Sequence, residues 1–195
     1  MTIALPKSWP ILLTTLGVGA IVLMNIVPYG GNVTSFFHLD ELIHERQNAP
    51  ENFTVLTVPA YDGAHYYQIA RNIPLLFSSE GWTTLRADST FSYAFQRFLL
   101  PLSAYLLSFG QLALLPYAFL LINILAIILS AWLVLHSTNK PLYALAIAFC
   151  PSAMVALHFS LAEPLTLLIL TLVLTRFARN SERLHAIDID RKSVV

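Results

Sequence analysis

Two carboxylates, two histidines, an arginine and a pair of tyrosines carry much of the chemistry this chain offers, in three separate stretches. Asp62, His65, Tyr66 and Tyr67 stand together in YDGAHYYQIA, Arg97 lies in FQRFLLPL, and His158 and Glu163 share HFSLAEPL. A carboxylate can cap a helix or exchange a proton with a bound hydroxyl. A guanidinium either snorkels from an apolar surface to the headgroups or pairs with a phosphate. Glu163 is the hardest to pass over. It lies at the junction of two apolar runs, where an ionised side chain is expensive and is a functional hypothesis by default.

A second acidic cluster, Asp40, Glu41, His44 and Glu45, lies in HLDELIHERQ. Leu39, Leu42 and Ile43 fall on one face of a helix over 38–47, so the charges read as its solvated side. His38 or His65 would be the neighbours of a metal there, but no spacing matches a known ligand pattern. The sequence therefore assigns no metal and leaves cofactors open. Cys150, the single cysteine, excludes an internal disulfide and a thiolate metal cluster. Asn32-Val33-Thr34 and Asn52-Phe53-Thr54 fit glycosylation sequons, a pattern common by chance.

The elements that must position these groups are membrane helices. Charged residues make up 11% of the chain and apolar ones 56%, against about a quarter charged in soluble domains. Zero formal net charge gives no footprint for nucleic acid. Apolar runs at about 11–28, 112–135, 142–158 and 161–177 suit crossings of roughly 17–25 residues. No small-x-small cleavage site closes the first run, which reads as a retained signal anchor. Helices are expected throughout, because lipid leaves no unpaired backbone unsatisfied. The expected fold is an all-α polytopic bundle.

Lys7, Lys140, Arg176, Arg179 and Arg183 fall on one side if four runs cross and the short run at 98–109, which contains Pro101, does not. Both ends are then cytoplasmic, and the loop 30–111 faces outward with the turn before Glu163. That topology gathers Asp62, Arg97, His158 and Glu163 at one surface. Within the loop, helices are expected at 38–47, 64–77 and 95–109. Asp62 is the candidate cap of the second, and Tyr66 and Tyr67 are expected to lie at headgroup depth. The stretch 181–195 reads as a polar tail, disordered or foreign to the native protein.

YDGAHYYQIA after a first span, then QRFLLPL, then FCPSAMVALHFSLAEPL, resembles the GT-C superfamily of membrane glycosyltransferases. The nearest branch is that of the bacterial relatives of the GPI-anchor mannosyltransferases. The matching positions are Asp62-Gly63, Tyr66 or Tyr67, Ile69-Ala70, Arg97 with Pro101, and Pro151 with Glu163, so the likeness covers roughly 11–174. Many members carry an Asp-Glu pair at the loop motif. Here Gly63 follows Asp62, and the pair Asp40-Glu41 lies nearer the first span.

The resemblance implies a catalytic carboxylate in the first outer loop, Asp62, with Asp40 or Glu41 as second choice. It implies a polyprenyl-phosphate sugar as donor and a glycan, lipid or protein as acceptor, on the outer face of a bacterial plasma membrane. Asp62 would take the proton of the attacking hydroxyl. Arg97, Arg71 or His65 would hold the leaving phosphate, the tyrosines would stack on sugar, and His158 and Glu163 would line the same substrate cavity. Family members are longer, so the chain is expected to be the N-terminal part of a larger enzyme. The rival reading is a non-catalytic membrane subunit or a carrier fragment, although the sequence has neither the inverted repeat nor the paired broken helices of transporters.

Overall fold

The computed structural model describes residues 8–39, 53–55, 62–78 and 97–192, with backbone alone from 179 onward. Its helices are α1 (Trp9–Ile26), α2 (Asp62–Arg71), α3 (Leu99–Leu107), α4 (Leu115–Thr138), α5 (Pro141–Ala148), α6 (Pro151–His158) and α7 (Glu163–Lys192). Short 3₁₀ turns cover Val27–Tyr29, Val33–Phe37 and Ile73–Phe77. The fold is all-α. Among the described residues the only strand-like feature is an isolated bridge between Leu39 and Val55.

Proline marks the helix starts. Pro10, Pro116, Pro141, Pro151 and Pro164 each sit in a first turn, where the missing N–H costs nothing and φ is already helical. Pro151 also divides the run expected as one span at 142–158. Cys150 before it is extended, with φ −62° and ψ 141°, as pre-proline sterics require. α5 therefore stops at Ala148 and α6 restarts at Pro151. Phe149 fills the break: a Cβ added to Gly17 on α1 would come within 2.5 Å of its ring. Pro74 acts similarly on the helix expected at 64–77. α2 ends at Arg71 and the chain continues as the 3₁₀ turn Ile73–Phe77.

Three helical segments are long and apolar enough to cross a membrane: Trp9–Tyr29, Leu115–Thr138 and Pro141–His158. The fourth expected run becomes helical only at Glu163. Glu163 and Arg176 thus bracket an apolar stretch shorter than the roughly 20 residues that span a bilayer. α3, expected as 95–109, has 9 residues, about 14 Å of helix, too short to cross. The expected tail is different again. No glycine or proline interrupts the chain after Pro164, and the backbone of α7 stays helical through Lys192. Of the helix expected at 38–47, His38 and Leu39 are not helical, and 40–47 lies outside the described residues.

α4 is the hub and packs against every other helix among the described residues. Several of its leucines point away from the bundle: Leu121, Leu125 and Leu129 are exposed, while Ala126, Ile127, Ser130 and Ala131 are buried. A soluble protein would invert this pattern. In lipid, association depends on close packing, which small side chains permit. Ala144, Ala148, Ala153 and Val18 complete that inner cluster. The protein is therefore a membrane protein by fold and composition together.

Asn123 breaks the pattern. It is 1% exposed within α4, and neither its amide nitrogen nor its oxygen has a hydrogen-bond partner. An orphaned buried amide costs about 1–3 kcal/mol. Asn123→Leu, which keeps the branching of the side chain and removes its polar atoms, is expected to stabilise the bundle by about 1–2 kcal/mol, read as a higher melting temperature in detergent. An unchanged or lower value would show that the amide is paired.

Candidate active site

α2 begins at Asp62 itself, which places the carboxylate in the first turn, where the helix dipole favours negative charge. The opposite face of α2 was expected to lie on the membrane. It is instead inside the protein: Ala64, Tyr66, Ile69 and Ala70 are at most 1% exposed, packed with Phe37, Leu100, Leu115 and Phe119. Burying two aromatic rings releases more apolar area than leaving them in the headgroups. Tyr67 stacks among Phe37 and Phe53, with centroids 5.3 and 4.6 Å away. The tyrosines are therefore not interfacial anchors, and neither ring offers a face to a sugar.

Tyr66 reaches the site through its hydroxyl instead. Arg97 Nη1 donates to Tyr66 Oη at 3.1 Å and to Glu163 Oε1 at 2.9 Å, and it lies 3.8 Å from Asp62 Oδ2. One guanidinium nitrogen thus joins the start of α2, the approach to α3 and the start of α7. The three charged side chains are 34–42% exposed. Ion pairs this open contribute only about 0–1 kcal/mol each, so stability alone gives little reason to collect them in so charge-poor a chain. Burial, opposed by Arg97, pushes the Tyr66 phenol up to about 12, and it stays protonated at neutral pH. Burial raises Tyr67 as well. Glu163 Oε2 is buried and has no hydrogen-bond partner.

The remaining expected residues divide. His158 ends α6 with its ring centroid 4.8 Å from that of His38, and Phe159 packs on both. His38 closes the 3₁₀ turn before it in a left-handed conformation, φ 47°. No spacing in the sequence links these two histidines, and only the fold pairs them. His65 is partly exposed on α2, with no polar partner among the described residues. Arg71 closes α2, about 13 Å along the axis from Asp62, and does not join the cluster. Asp40 and Glu41 lie outside the described residues. Among the described residues no group of three or more His, Cys, Asp or Glu side chains stands together as metal ligands.

Gly63 sits at a close approach between two backbones. A Cβ at this position would lie 2.2 Å from the carbonyl oxygen of Phe159, so the first turn of α2 rests directly on the turn between α6 and α7. Ser160 in that turn has φ 51°. This contact holds Asp62 and Glu163 on either side of Arg97. Asn32, in one sequon, serves a local purpose: its Oδ1 accepts from the Thr34 amide and hydroxyl, and the Thr34 hydroxyl meets Thr54 of the other sequon at 3.2 Å.

His38 makes the fold pH-sensitive. Burial first, and then the neighbouring His158, lower its pKa from 6.5 to about 4, and its Nδ1 is buried without a partner. Between those values the unfolded chain binds a proton that the folded chain refuses, so stability falls as pH drops from about 6.5 towards 4. The expected loss is about 1–2 kcal/mol, discounted for the partial exposure of the ring. His38→Asn tolerates the left-handed backbone and should lose about that much less stability than wild type between pH 7.5 and 4.5, roughly the two sides of the window. Parallel melting curves would refute the assignment. In comparison with known proteins, no family model, no curated protein and no solved structure matches this chain.

Proposed function

We propose that this protein is a GT-C-like membrane glycosyltransferase that moves a sugar from a polyprenyl-phosphate donor to a hydroxyl acceptor on the non-cytoplasmic face of a bacterial plasma membrane. The observation that carries the reading is the junction of Asp62, Arg97 and Glu163 at one end of the bundle, through a single guanidinium nitrogen. The acceptor oxygen attacks the anomeric carbon, the bond from that carbon to the phosphate oxygen breaks, and Asp62 takes the hydroxyl proton. The polyprenyl phosphate leaves with its charge facing Arg97. Glu163 and Tyr66 are the positioning residues that aim that guanidinium.

The phosphate competes with the two carboxylates for Arg97. Asp62, its more distant partner at 3.8 Å, is the one released to act as base. A carrier reading would look for a broken helix lining a cavity. The break at Phe149 is packed by its own ring against Gly17 and does not favour that reading. The alternation of α1, α4 and α5–α6, the three segments long and apolar enough to cross, sets the proposed sidedness.

Two measurements test this. Membranes carrying the protein are supplied with radiolabelled polyprenyl-phosphate sugars, and label is expected in an acceptor fraction. In a Cys150→Ser background, Gln111→Cys should react with an impermeant thiol reagent in intact cells and Ser137→Cys should not. Absence of transfer from every donor would overturn the activity, and reversed labelling would overturn the sidedness.

A further inference from the structure

The bundle end away from the carboxylates holds a cavity of about 620 Å³, bounded by Ser8 and Trp9 at the start of α1 and by Trp132, His136, Asn139 and Pro141 where α4 turns into α5. Ligand pockets of this kind measure about 300–1,000 Å³. Its wall is flat and aromatic: Trp132 and His136 stack with centroids 5.4 Å apart and planes 4° from parallel. Lys140 stands between two lining residues, exposed, with its ammonium 5.0 Å above the Tyr143 ring. Among the described residues no carboxylate lines the cavity, and Lys7 directly precedes Ser8 in the chain. On the same helices, α1 and α5, Leu12 and Leu142 are 61% and 74% exposed.

All three segments long and apolar enough to cross a membrane begin or end here, so the cavity opens at headgroup depth, where tryptophans gather. A polar rim with an exposed lysine beside it, on helices that also carry exposed leucines, matches one class of molecule. We infer that this cavity binds an anionic phospholipid, with its phosphate-bearing headgroup against Lys140, His136 and the indole N–H groups and its acyl chains along Leu12 and Leu142. An aromatic belt alone would hold neutral and anionic lipids equally. The exposed Lys140 beside this cavity would add a preference for the anionic lipid. One basic residue near a membrane surface contributes about 1 kcal/mol towards anionic lipid, which is about a five-fold preference.

Native mass spectrometry of the whole chain, released from detergent with equal phosphatidylglycerol and phosphatidylcholine of matched chains, reads this directly. The wild type is expected to retain phosphatidylglycerol about five-fold over phosphatidylcholine, in the presence or absence of excess inorganic phosphate. The preference should fall to near unity in a His136→Ala/Lys140→Ala variant, return towards wild type in Lys140→Arg, and persist in Arg97→Ala. That last variant separates this cavity from the carboxylate site and from the activity proposed there. Equal retention of both lipids by the wild type overturns the inference. So does a preference that survives the double variant, or one that inorganic phosphate abolishes, since that would mark a site for free anions.

Discussion

Asp62→Asn is expected to lower sugar transfer from a polyprenyl-phosphate donor by about 10²–10⁴-fold, the range of a positioned proton acceptor, with membrane insertion unchanged. The substitution keeps the shape of the side chain and removes the charge. Arg97 remains anchored on Glu163 at 2.9 Å and on the Tyr66 hydroxyl at 3.1 Å, so the guanidinium should hold its place. The lost ion pair is a long one at 3.8 Å between partly exposed groups and contributes about 0–1 kcal/mol to the fold. Activity should therefore collapse while the melting temperature scarcely moves. Transfer at a rate near wild type would pass the role to Asp40 or Glu41, which the same exchange at those positions then tests.

Gly63→Ala should damage fold and activity together, by a steric route rather than a chemical one. The added methyl would meet the backbone carbonyl of Phe159 at 2.2 Å. A carbonyl inside a packed turn cannot rotate aside as a side chain can, so α2 must lift. Overpacking of this kind costs about 1–3 kcal/mol, and the lift carries Asp62 away from Arg97 and Glu163. Misplacing a catalytic group by about 1 Å can cost on the order of 100-fold in rate. Gly17→Ala is the matched control. Its methyl meets only the tip of the Phe149 ring, at 2.5 Å, and that ring can turn. Melting and transfer assays on both variants should show the larger loss at position 63. Equal losses, or none at Gly63→Ala, would remove the contact from the site's architecture.

The membrane character of this chain was legible in its residues, because hydrophobic length is a local property. Apolar runs broken by proline at 116, 141 and 164 must become helices in lipid, whatever they pack against. The charge-derived topology led to the expectation that Asp62, Arg97 and Glu163 share one surface, and these three side chains do meet. What it could not place was the partner of each polar atom. YDGAHYYQIA has the apolar periodicity of a helix lying on a membrane, and the same periodicity suits a helix buried in a bundle. Only the presence of Phe37, Leu100 and Phe119 opposite that face decided for the interior and turned Tyr66 from a stacking surface into a hydroxyl that holds Arg97.

Gly63 posed the same problem in miniature. In one dimension it is a missing acid beside Asp62, and in three it is the only side chain that fits under the Phe159 carbonyl. The pairing of His38 with His158, the packing of Phe149 into Gly17 and the cavity between Trp9 and Trp132 likewise join residues distant in the chain. Composition and spacing determine which segments leave water and which face of each is apolar, since those depend on a residue and its near neighbours. Which faces touch depends on shape complementarity between helices far apart in sequence, and in a bundle held by close packing rather than by hydrophobic burial that information exists only once the helices have met.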